Sequence, residues 1–170
     1  APTFADIDGD GDLDALVGKR DGTLNYFENT GSTTNPVYEP QTGAGNPFNG
    51  IGVGYYSAPT FADIDGDGDL DAVVGESNGT LNYFENTGSA TNPVYEQQTG
   101  ADNPFNGIDV GSFSAPTLAD IDGDGDLDAV VGERYGSLYY FENTGSTNNP
   151  VYEAQAGADN PFNGIDVGFQ

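Results

Sequence analysis

The 170-residue chain contains no cysteine and no histidine, and Lys and Arg together number only three. Each scarcity removes a class of chemistry. Without cysteine there is no disulfide framework and no thiolate nucleophile or metal ligand. Without histidine, the usual general base near neutral pH and the commonest transition-metal ligand are both missing. Three cations stand against 28 Asp and Glu, for a formal net charge of −25. Phosphate backbones and anionic membrane surfaces are repelled by such a chain, which excludes nucleic acid as a partner. Long apolar runs are absent too, and nothing approaches the roughly 18 residues of a membrane-spanning helix. No leader segment is legible in the residues given, which open on Ala1-Pro2-Thr3-Phe4.

Acidity of this degree with few aliphatic residues is one mark of disorder, but ten Tyr and ten Phe argue for a packed core. The chain is also periodic. Ala1, Ala58 and Ala115 each begin the phrase APT(F/L)ADIDGDGDLDA, so the period is 57 residues and the copies span 1–57, 58–114 and 115–170. They differ mainly in short patches. Lys19-Arg20-Asp21 becomes Glu76-Ser77-Asn78 and then Glu133-Arg134-Tyr135, and Tyr55-Tyr56 becomes Ser112-Phe113. Such uniformity points to recent amplification or deliberate construction.

Within a copy every signal is β. Thr3 to Ile7, Leu13 to Gly18 and Thr23 to Glu28 read as strands, and a fourth begins at Val37-Tyr38-Glu39 and ends near Gly43. Asn29-Thr30-Gly31-Ser32 and Asn35-Pro36 mark a loop, and Asn46-Pro47-Phe48-Asn49-Gly50 marks a longer connection to the next copy. On the third strand Leu24 and Tyr26 point to one face and Phe27 to the other, so both faces are apolar, as in a sheet sandwiched between neighbours. Four short strands repeated in tandem read as antiparallel β-propeller blades, three per chain, an all-β fold.

The chemistry lies in Asp6-Ile7-Asp8-Gly9-Asp10-Gly11-Asp12-Leu13-Asp14. Acids fall at alternate positions, and Gly11 permits a sharp turn. Ca²⁺ takes six to eight oxygens at about 2.3–2.6 Å in a flexible cage, which one looped segment can supply, whereas Mg²⁺ prefers to keep its waters. Five clustered carboxylates without a cation would cost several kcal/mol in repulsion. By analogy with the EF-hand, the seventh position gives its backbone carbonyl. The expected ligands are then the side chains of Asp6, Asp8, Asp10 and Asp14, with Asp12 through its carbonyl. The second copy offers Asp63, Asp65, Asp67 and Asp71 with Asp69, and the third offers Asp120, Asp122, Asp124 and Asp128 with Asp126. About one Ca²⁺ per copy is expected. An EF-hand proper is excluded, because its twelfth position needs a bidentate Glu and holds Val17 here.

The order of strand, DxDGDGDLD loop, AxVGE strand, turn and LxYFENTG strand resembles the FG-GAP/VCBS repeats, also seen in integrin α-subunits. The resemblance covers all three copies. It implies calcium-containing propeller blades in extracellular or cell-surface proteins, mostly adhesion or carbohydrate-associated modules and commonly with seven blades. This chain departs in having three blades and in lacking the literal FG-GAP residues.

Three blades leave two apolar end faces, and exposed patches of that kind imply a partner. The expectation is self-association into a closed ring, by two chains giving six blades or by three giving nine. A β-trefoil, also built from three four-stranded repeats, is the alternative fold. The expected function is a structural, adhesion-type scaffold. The alternative is a lectin-like carbohydrate binder that uses variable turns such as Arg134-Tyr135 or the NPFNG segment, although Phe48, Phe105 and Phe162 in that segment also read as packing plugs. Catalysis is not expected, because the acids are better explained as metal ligands than as a glycosidase pair.

Overall fold

A computed structural model describes residues 1–169. The first copy forms β1 (Pro2–Ala5), β2 (Asp14–Gly18), β3 (Leu24–Asn29) and β4 (Tyr38–Pro40). The second forms β5 (Ala58–Ala62), β6 (Asp71–Gly75), β7 (Leu81–Asn86) and β8 (Tyr95–Gln98). The third forms β9 (Ala115–Ala119), β10 (Asp128–Gly132), β11 (Leu138–Asn143) and β12 (Tyr152–Gln155). Each copy is one antiparallel four-stranded sheet with its strands in chain order. The first strands are neighbours, β1 beside β5 and β5 beside β9, so they form the inner edge along which the sheets stack. Among the described residues no helix is long and apolar enough to cross a membrane.

Alternation along the strands explains the stacking. Successive side chains point to opposite faces. On β6, Val73 faces the third sheet while Ala72 and Val74 face the first. Leu16, Leu24 and Tyr26 of the first sheet pack on Ala72, Val74 and Phe84 of the second. Val73, Leu81 and Tyr83 of the second pack in the same way on Ala129, Val131 and Phe141 of the third. Every residue of β6 is therefore buried, as an apolar strand covered on both faces should be.

The connection after the fourth strand locks each sheet to the next. Phe48 stacks on Tyr95 at 4.3 Å between ring centroids, and Phe105 stacks on Tyr152 at 4.5 Å. The plug reading of these two phenylalanines is correct. Two differences from the sequence reading concern strand ends. Ile7, expected to close the first strand, instead lies in the acidic loop beyond Ala5. The fourth strand stops at Pro40 rather than near Gly43, and Gly43–Gly45 forms a single 3₁₀ turn.

The burial pattern sets an energetic expectation. Phe105 is 1% exposed and touches rings from two sheets, Tyr83 and Tyr152. Phe105→Ala should lower stability by about 3–5 kcal/mol through lost transfer energy and a cavity. Tyr55→Ala, at a ring 65% exposed, should change it by no more than about 0.5 kcal/mol. Urea titrations of the two variants check this, and equal losses would contradict the packing described.

Candidate metal centre

The segment between the first and second strands of each sheet folds around its own carboxylates. Asp8 Oδ1 accepts from the Asp10 N–H at 3.2 Å, Asp10 Oδ1 from Asp12 N–H at 3.0 Å, and Asp6 Oδ2 from Gly11 N–H at 3.1 Å. The second copy repeats this set at 3.1, 3.0 and 3.1 Å, and the third repeats it at 3.1, 3.1 and 3.2 Å. Turning the chain back so tightly puts Gly9 at φ 73° and Gly11 at φ 96°, where side chains are disfavoured.

This folding brings one oxygen from each of Asp6, Asp8 and Asp10 within 4.8 Å of the others. Asp63, Asp65 and Asp67 converge in the same way, as do Asp120, Asp122 and Asp124. Oxygens about 2.3–2.6 Å from a shared Ca²⁺ lie no more than about 5 Å apart, so the spacing fits. Asp12, Asp69 and Asp126 stand outside these triads. Each is about nine-tenths buried, yet its Oδ1 has no hydrogen-bond partner, and Asp6 Oδ1 shares that condition. Burial, then the charges of Asp10 and Asp14, push the Asp12 carboxyl above its ordinary pKa. Unpartnered buried carboxylate oxygens beside three converging ones are costly unless a cation joins them, so the donor set fits a hard divalent metal.

Asp14, expected as a ligand, has a further task. Its Oδ2 accepts from Ile7 N–H at 3.2 Å and from Tyr26 OH at 2.9 Å, and its Oδ1 accepts from Asn29 N–H at 2.7 Å. Asp71 and Asp128 hold the equivalent donors, Ile64, Tyr83 and Asn86, and Ile121, Tyr140 and Asn143. An ionised carboxylate offers about four lone-pair sites, so three are used and one remains for an ion. Burial pushes Asp71 up to about 6, and burial with the adjacent Asp14 pushes Tyr26 above the usual phenol range. Sequence reasoning missed Tyr26 and Asn29 as members of this cluster. The recurrent YFEN signature was the available signal, but it read as a strand end, a loop start and part of the family resemblance, not as a partner of the acid loop.

Beside the first two triads the sheets leave clefts of about 370 and 380 Å³. Asp8, Tyr26 and Glu28 face Asn92 in one, and Asp65, Tyr83 and Glu85 face Asn148 and Asn149 in the other.

A family model described as an FG-GAP-like repeat matches residues 6–74 and 63–131. No curated protein matches the chain.

The two kinds of aspartate should separate on mutation. Asp71→Ala strands the Ile64, Tyr83 and Asn86 donors and should cost about 2–4 kcal/mol even in chelator. Asp67→Ala, at an exposed member of its triad, should leave the melt in chelator nearly unchanged and abolish the calcium-dependent part at that loop. Thermal melts of both variants with calcium and with EDTA test this. Identical behaviour would contradict the division of roles.

Proposed function

The chain belongs to the FG-GAP-like repeat family, and from that premise we propose a calcium-binding β-propeller repeat module with a structural, adhesion-type role, completed by self-association. Each copy, 1–57, 58–114 and 115–170, is one blade. The observation that carries the calcium assignment is the threefold recurrence of an acid triad beside a buried, unpartnered carboxylate oxygen. The side chains of Asp6, Asp8 and Asp10 would hold the ion with the unpartnered Asp12 Oδ1, in place of the Asp12 carbonyl expected from the EF-hand analogy, and the free lone pair of Asp14 would complete the set. The same holds for Asp63, Asp65, Asp67, Asp69 and Asp71, and for Asp120, Asp122, Asp124, Asp126 and Asp128. Calcium there screens acids that otherwise repel, and three ions would take the formal charge from −25 to −19.

Self-association is supported by the ends of the stack. Tyr38 is 42% exposed where Tyr95 is 7%, and Val167 is 60% exposed where Val110 is 4%. The two open faces are the two halves of the interface that already joins the sheets within the chain. A head-to-tail contact between them closes as a ring, with six blades from two chains favoured over nine from three. An extracellular or cell-surface setting suits sites of modest affinity, since modules of that kind bind calcium at about 10⁻⁴–10⁻³ M. No catalytic role is assigned, because metal binding and strand anchoring account for the loop acids. A second reading, carbohydrate binding, would use the recurring clefts, whose carboxylate, phenol and amide groups could meet a polyhydroxylated ligand. Screening of the calcium-loaded chain on a glycan array tests it, and binding lost on Glu85→Ala would move the assignment from scaffold to lectin.

Chelation tests the first reading. Calcium tenfold above Kd stabilises by about 1.4 kcal/mol per site, or about 4 kcal/mol for three independent sites. EDTA should therefore lower Tm by roughly 10 °C, and an unchanged melt would overturn the calcium assignment. In chelator, acidification from about pH 7 to about pH 5 should recover part of the loss. The folded pKa of Asp71, about 6, lies above its ordinary 3.8. Its contribution is thus full below 3.8 and is lost as pH rises through about 6.

A further inference from the structure

Three loops of identical sequence sit in different surroundings. A Cβ placed on Gly9 would lie 2.7 Å from the Ala90 carbonyl oxygen and 2.9 Å from Thr91 Cγ2, and one on Gly66 would lie 2.9 Å from Asn148 Nδ2. The loop between the third and fourth strands of the following sheet therefore roofs each of the first two acid loops. Gly123 has nothing within 4 Å at the same position. Asp6, Asp8, Asp63 and Asp65 are correspondingly half-buried, whereas Asp120, Asp122 and Asp124 are all exposed. The donor set is otherwise the same, including a buried, unpartnered Asp126 Oδ1.

The missing roof lies at the other end of the chain. The 57-residue period makes Thr33 and Thr34 the counterparts of Ala90 and Thr91. Both threonines are exposed. Beside them Phe4 and Tyr38 meet edge-to-face at 6.1 Å, much as Phe61 and Tyr95 meet at 6.2 Å around Phe48. No described ring fills the Phe4–Tyr38 socket. At the far end Phe162 contacts Tyr140 of its own sheet at 6.2 Å, and among the described residues no ring of another sheet stacks on it.

We infer that the third metal site is composite: a second copy of the chain completes it. Its first sheet receives Phe162 against Phe4 and Tyr38 and lays Thr33–Thr34 over Gly123. The inference rests on the calcium and self-association readings above. A second copy is the occupant because the contact continues, residue for residue, the interface that joins the sheets within one chain. A roofed loop is restrained in the form that binds the ion, so the third site binds more tightly in the assembly. By reciprocity the ion strengthens assembly by the same factor.

Calorimetric titration with calcium alone, paired with sedimentation velocity, tests the proposal on the full chain. The unsubstituted chain, at concentrations where it is assembled, should take up three equivalent ions. Tyr38→Glu should sediment as a 17.7 kDa monomer, bind two ions as before, and bind the third at least about 5-fold more weakly, the lower end of typical couplings. Phe162→Ser should do the same from the other side of the contact. Dilution of the unsubstituted chain gives the comparison without any substitution, and calcium should lower its assembly Kd by the same factor. Three equivalent sites in a monomer would overturn this inference and leave the calcium assignment intact. Assembly undisturbed by both variants would also overturn it, by placing the contact elsewhere. Absence of calcium binding in every sample would overturn the calcium reading and this inference with it.

Discussion

A four-stranded sheet with apolar residues on both faces cannot cover either face by itself. Ala72 and Val74 on one side of β6 and Val73 on the other become buried only because a sheet lies against each side. Other features serve that stacking. The Phe48 and Phe105 plugs close the outer part of each junction, and the inner strands close the other. Close approach at the junction also explains Gly18, where a Cβ would meet the Ser57 carbonyl at 2.1 Å. Stability in such a stack resides largely between neighbours, as in other repeat proteins.

The acid loops are tied into this arrangement by a continuous run of hydrogen bonds. Asp71 fixes its own loop through Ile64 N–H and fixes β7 through Tyr83 OH and Asn86 N–H. The Asn86 side chain then accepts from Gly88 N–H at 3.1 Å and from Val94 N–H at 2.9 Å, which shapes residues 87–94. That segment carries Ala90 and Thr91 onto Gly9 of the preceding loop. Each acid loop is thus anchored by its own sheet, and the first two are roofed by the next. The recurring ENTG phrase has a physical reason: its Asn links anchor to roof.

Strand order and the acid loop were legible in the sequence because both are local. Alternating apolar residues specify a strand, and Asp at every second position of a Gly-containing loop specifies converging oxygens. The boundaries were less so. β4 ends at Pro40 while β8 runs on to Gln98, although the Gln41 N–H still donates to the Tyr26 carbonyl at 3.0 Å. The double duty of Asp14 was invisible, because its partners lie 7, 12 and 15 residues away and meet only once the sheet forms. The meeting of the two variable patches was also invisible. Arg20 lies 5.5 Å from the Tyr56 ring centroid, and Arg134 lies 5.1 Å from that of Phe113 and 4.9 Å from that of Phe169.

That last arrangement bears on how the charge is used. Fifteen of the 28 acids lie in the three loops, at one end of the second strands. All three cations, Lys19, Arg20 and Arg134, lie in the turns at the other end of those strands. A chain acidic merely for solubility would spread its charge. Here the negative charge is concentrated where oxygens converge, and the cations are kept about one strand length away, where aromatic faces hold the arginines. Lysines near the triads would pair with the carboxylates and compete with a divalent ion for them. Their exclusion leaves the loop oxygens open to a metal and leaves the acid loops without a side-chain cation to balance their charge.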